Sequence, residues 1–126
     1  MTQIADKVLT TEQVVARFKE LASQEKWFEI QDELFAEEVR SIEPEGSVYM
    51  QDATGKAAVR KKAEDFVSRI EAVHRVYTST PIVTGNHIAV ARETDITVKP
   101  HGRVQLNEIM LYEVKDGQII LEQFFY

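Results

Sequence analysis

HIAVARETDITV (residues 87–98), VQLNEIMLYEV (residues 104–114) and QIILEQFFY (residues 118–126) follow one another with short breaks at Lys99–Arg103 and Lys115–Gly117. Within each run apolar and β-branched residues recur at alternate positions, the period of a strand whose faces differ. Pro100-His101-Gly102 ends the first run, and Lys115-Asp116-Gly117 reads as a three-residue hairpin loop with glycine where a left-handed residue is needed. Val76 to Val83 reads as one further strand, followed by a turn at Gly85-Asn86. Long strands joined this tightly predict an antiparallel meander.

Upstream the period changes to that of helices. Thr10 and Gln13 have the spacing of a capping box, and Val14, Val15, Phe18, Leu21 and Ala22 then repeat at helical spacing, predicting a helix from Thr11 to Gln24. Trp27, Phe28, Ile30, Leu34 and Phe35 form a second, shorter stripe, with a short strand at Val39–Ile42 before the turn residues Pro44 and Gly46. A third helix follows Gly55, with Val59, Ala63, Phe66, Val67, Ile70 and Val73 on one face, and its Arg60-Lys61-Lys62 cluster reads as a solvated face. Helices first and strands afterwards predict an α+β fold, three N-terminal helices packed on one mostly antiparallel sheet.

With 126 residues, 44% of them hydrophobic, the chain is expected to form a single domain over residues 1–126. A net charge of −6 argues against nucleic-acid and anionic-membrane partners. The lack of cysteine excludes disulfides, a thiolate nucleophile and a Cys-based zinc site. The opening MTQIADKVLTTEQ has no apolar core of a leader, and no run approaches the length of a membrane span, so the expected location is cytoplasmic.

Pairing Val98 with Val104 and Val114 with Gln118 places the even-numbered residues of the three strands on one face. That face carries Arg92, Thr94, Ile96, Leu106, Glu108, Met110, Tyr112, Glu122, Phe124 and Tyr126. The other carries Ala89, Ala91, Asn107, Ile109, Leu111, Ile119, Leu121 and Phe125. Neither is polar enough to face water alone, so the helices are expected to cover one and a second copy of the chain the other, as an isologous homodimer. The inferred pairing sets Arg92, Met110 and Glu122 in one row with Glu108 diagonal to it, either the polar floor of a ligand pocket or a solvated salt-bridge cluster.

LFAEEVRSIEPEG (residues 34–46) resembles the junction between second helix and first strand of the ketosteroid isomerase and SnoaL-like polyketide cyclase group, in the nuclear-transport-factor-2-like superfamily. GKAAVR (residues 55–60) is similar to the start of that group's third helix, and YEVKDGQI (residues 112–119) to its last hairpin. The resemblance spans Val14 to Tyr126. It implies a cone-shaped, cystatin-like fold whose curved sheet and three helices enclose a pocket, commonly in a dimer. It also implies that Glu43, the acid before Pro44, stands where the isomerases keep their general base. Their two proton donors, a first-helix tyrosine and a strand aspartic acid, match Phe18 and Met110 here, so the usual enolate-stabilising groups are absent.

Two functional classes follow. One is acid–base catalysis of isomerase, cyclase or hydrolase type on a small apolar molecule, with Glu43 as base and Arg92, Glu108 and Glu122 as second acid or anion clamp. Phe18, Trp27, Thr94, Met110, Tyr112 and Phe124 would line that pocket. The other is a non-catalytic module for small-ligand binding or dimeric assembly. No cofactor is expected, because no glycine-rich phosphate loop is present, and none of His74, His87 and His101 has metal-ligand spacing.

Overall fold

The computed structural model describes residues 8–126; residues 1–7, which open the segment read above for a leader, lie outside the described residues. The Thr10 hydroxyl accepts from the Gln13 N–H at 3.1 Å and the Gln13 side chain accepts from the Thr10 N–H at 2.9 Å. This reciprocal cap opens α1 (Thr11–Ala22), which buries Val14, Phe18, Leu21 and Ala22. A turn through Glu25, held at φ 57°, leads into α2 (Trp27–Leu34).

The chain then enters β1 (Phe35–Ile42), longer than the expected Val39–Ile42 because Phe35 and Ala36 are already buried, Phe35 opposite Ile119. β2 (Ala53–Thr54), α3 (Lys56–Ser68), β3 (Ile70–Thr78), β4 (Ile82–Thr84), β5 (His87–Val98), β6 (Gly102–Lys115) and β7 (Gln118–Phe125) complete the order. The sheet runs β2-β1-β7-β6-β5-β3, with β4 also on β5, and every pairing is antiparallel except β1 with β7. Three helices on a curved, mixed sheet are the α+β arrangement expected.

Four local expectations are corrected. α3 stops at Ser68, and Ile70 and Val73 belong to β3, where they pair with Val98 and Ile96 of β5 and their β-branched side chains suit the strand. The run Val76–Val83 is two strands, broken before Pro81, which has no N–H to donate. The last hairpin turns on two residues, since Lys115 pairs with Gln118 and both Asp116 (φ 52°) and Gly117 (φ 76°) take the positive angles of a type I′ turn. Finally, the register shifts between Glu113 and Val114, so that Val114 faces Ile119 while Glu113 faces Leu121. This bulge turns Ile119 into the core, fully buried, instead of onto the outer face beside Leu121.

The rows also move. Val98 pairs with Gly102, which sets Arg92 opposite Glu108, and Tyr112 opposite Glu122, while Met110 faces Val90 and Phe124. Between β5 and β6, and between β6 and β7 beyond the bulge, each pairing differs by two residues from the expected one, so rows change but, Ile119 apart, faces do not. On the even face, Ile88, Val90, Met110, Tyr112 and Val114 meet Val14, Phe18, Leu21, Ile30, Leu34 and Val59 from the helices to form the core.

Candidate functional site

Beyond that core the even face forms the floor of a cavity of about 350 Å³, walled by α2, α3 and β3. Trp27, Thr94, Met110, Tyr112 and Phe124 line it, as do Arg92, Glu108 and Glu122. Phe18 does not. It lies one layer behind the wall, fully buried, with its ring edge-on to Trp27 (6.2 Å) and Tyr112 (4.8 Å).

Glu122 reaches the floor from β7, is 5% exposed, and accepts from the Ser41 hydroxyl at 2.6 Å. Burial pushes its carboxyl up to about 7, with the Glu43 charge adding to the effect against the Ser41 hydrogen bond and Lys62. Glu108, on β6, is likewise raised to about 7, first by burial and then by Glu43 and Glu122, with Arg92 opposing. Burial thus holds both carboxyls well above the ordinary carboxylate range.

Glu43 follows the end of β1, where its N–H donates to Asp52 at 2.8 Å. Both of its carboxylate oxygens are engaged: Lys62 Nζ donates to Oε2 at 2.6 Å and the Tyr126 hydroxyl to Oε1 at 2.7 Å. Lys62 and Tyr126 line the cavity, so Glu43 joins the site through them, and Lys62 is no part of a solvated face. Its position was legible in one respect: it is three residues after Val59 and four before Phe66, flanking the buried stripe. Arg60, by contrast, pairs with Asp32 and Glu64 and stacks on Phe28.

Arg92 does not contact Glu43. Its guanidinium donates to Glu25 at 2.8 Å and lies 5.4 Å from the Trp27 ring centroid. Burial works to raise the Glu25 carboxyl, but hydrogen bonds from Thr78, Trp27 and Arg92 hold it below the ordinary carboxylate range. Nothing in the apolar pattern marks Glu25, because its role comes from a turn conformation. Tyr112 is 3% exposed, and among the described residues its hydroxyl has only Met110 Sδ, at 3.8 Å, as a partner. Burial, with Glu122 and Glu108 nearby, raises this phenol well above its usual value, so it stays protonated.

The histidines stand apart from the cavity: His74 bonds Thr97, His87 lies 3.9 Å from Glu113, and His101 packs on Tyr49. Among the described residues no group of His, Asp and Glu side chains could hold a metal ion, and no helix is long and apolar enough to cross a membrane.

Residues 9–126 match the family model of the SnoaL-like domain. A solved protein from Mesorhizobium loti, named as a candidate SnoaL-like polyketide cyclase, shares 32% identity over 94% of this chain and 100% of its own, with a TM-score of 0.83. A Catenulispora acidiphila protein with a ketosteroid isomerase-like fold, in complex with trimethylamine, superposes at 0.63 with 18% identity over 93% of this chain and 87% of its own. A Xanthomonas campestris protein with a cystatin-like fold gives 0.69 at 13% identity, over 93% and 90%. The last two are likenesses of fold alone. No curated protein matches the chain.

Proposed function

We propose, for a chain that belongs to the SnoaL-like domain family, that the cavity transfers a proton on a small, largely apolar molecule, with Glu108 as the exchanging acid and base. One observation carries this reading: Glu108 lines an apolar cavity, has no hydrogen-bond partner among the described residues, and is poised at about 7, where a group serves equally as donor and acceptor. Glu122, raised to about 7, supplies a second donor in its protonated form, and Tyr112 a third. Together they offer the proton donors that Phe18 and Met110 cannot. Glu43, anchored on Lys62 and Tyr126, adds to the burial that raises Glu108 and Glu122.

The cyclic ketone 2-tetralone tests this. In deuterated buffer the protein should accelerate exchange of its α-protons with an inflection near pH 7, and Glu108→Gln should bind the ketone without accelerating exchange. If the wild type binds 2-tetralone but exchange runs at the buffer rate, the second reading, a binding module, replaces the first. The full engagement of both Glu43 oxygens is what favours that second reading.

The chain also works as a homodimer in this proposal. Ile109 and Phe125 face each other across β6 and β7 on the outer side of the sheet and are 46% and 47% exposed, with Leu111 and Leu121 beside them. A second copy covering this face would remove that apolar surface from water.

A further inference from the structure

The cavity's cations are already spent: Arg92 on Glu25 at 2.8 Å and Lys62 on Glu43 at 2.6 Å. An incoming carboxylate would meet no unpaired positive charge there, only the further acids Glu108 and Glu122. The charge arrangement therefore selects against an anionic ligand.

Gln31, one turn beyond Trp27 on α2, also lines the cavity. It is 7% exposed, and its Oε1 is buried with no hydrogen-bond partner among the described residues. Its helical neighbours Trp27 and Leu34, four before and three after, are apolar, so a leucine would satisfy the packing here without stranding an amide. Tyr112 shows the complementary deficit, a buried hydroxyl whose sole partner among the described residues is a thioether sulfur, a weak acceptor. A ligand hydroxyl can answer either group: its hydrogen can go to the amide oxygen once that amide turns toward the cavity, or a lone pair can accept from the phenol.

Resting on the reading that the cavity takes a small apolar molecule, we propose that Gln31 determines its specificity: the ligand is a ring compound without a negative charge that carries a hydroxyl, an alcohol, phenol or enol, which donates to the Gln31 amide oxygen. About 350 Å³ accommodates a two-ring molecule.

Calorimetric titration with 2-naphthol, 2-methoxynaphthalene and 2-naphthoate separates the terms, because the ether keeps the acceptor but loses the donor and the carboxylate adds charge. The wild type should prefer 2-naphthol to both others by about tenfold or more, as sites built to pair a hydroxyl do. Gln31→Leu should erase the preference over the ether while still binding it, and Gln31→Met serves as a second variant, with circular dichroism reporting the fold of both. Equal binding of naphthol and ether by the wild type, tighter binding of 2-naphthoate, a preference that survives both substitutions, or no binding of any probe would overturn the proposal. Because 2-tetralone has a ketone in place of the hydroxyl, its α-proton exchange stands or falls independently of this result.

Discussion

Ser41 and Glu122, 81 positions apart in sequence, meet side by side across the one parallel strand pair, and the serine hydroxyl donates to the carboxylate at 2.6 Å. The contact couples the strand that precedes the Glu43 loop to the cavity floor. It also works against the burial that raises Glu122. Ser41→Ala should therefore move the Glu122 titration, followed by carboxyl carbon NMR, above about 7 and cost about 1 kcal/mol or more. An unchanged titration would mean that the hydroxyl contributes nothing to the carboxyl's poise.

Stability should depend on pH through the same acids. Free glutamate titrates near about 4.3, whereas Glu108 and Glu122 are raised to about 7 in the fold. Between these values the native state holds protons that the unfolded state has released, so their contribution is fully present below the unfolded value and is lost as pH rises through about 7. Glu108→Gln, which mimics the neutral acid, should raise urea stability at pH 8 by about 3 to 4 kcal/mol and change little at about pH 3.5, below the unfolded value. An equal gain at both pH values would contradict the assignment.

Much of this site was legible in the residues, and what was not has a physical reason. The alternation in residues 87–126 placed Arg92, Glu108, Tyr112 and Glu122 on one face because side-chain direction depends only on parity, which the two-residue register shift preserves. Their row partners depended on loop length and on the bulge at Val114, and no short-range pattern specifies those. Glu43 stood out by its place before Pro44, but its partner Lys62 is 19 positions away on a helix whose charged residues all look alike in sequence. Glu25 and Gln31 were invisible for opposite reasons. One acts through a backbone angle, and the other is a polar residue in an apolar stripe.

The Glu25–Arg92 pair makes a prediction about ligand charge. Glu25→Gln would keep a side chain of the same shape but remove the anion that neutralises Arg92. The variant should bind 2-naphthoate about tenfold more tightly than the wild type does, because a carboxylate then finds a cation it can pair with. If titration shows no gain, Arg92 is neutralised by another group and the argument against an anionic ligand weakens.

The outer sheet face predicts assembly. Ile109→Arg places a charge at a half-exposed position where an isolated chain would tolerate it easily and a buried symmetric interface would not. Sedimentation of the wild type should show twice the 14.4 kDa chain mass, and the variant should sediment as the single chain with unchanged circular dichroism. A wild type that sediments only as a monomer removes the dimer from the proposal.

Glu43 and Lys62 form the most buried ion pair among the described residues, with side chains 2% and 14% exposed. Removing one partner of such a pair leaves the other uncompensated, which typically costs about 3 to 5 kcal/mol, whereas replacing both with apolar groups is often close to neutral. Glu43→Gln alone should therefore destabilise the protein markedly, and Glu43→Gln combined with Lys62→Met should recover most of the loss in urea unfolding. The functional consequence differs from that of losing a base. With the Glu43 charge gone, Glu108 loses one of the influences that raise it, so α-proton exchange in 2-tetralone should persist with its inflection moved below about 7. Were Glu43 itself the proton-accepting group, the substitution would abolish exchange at every pH; a shifted but surviving profile is the outcome that assigns it to holding the field and Glu108 to moving the proton.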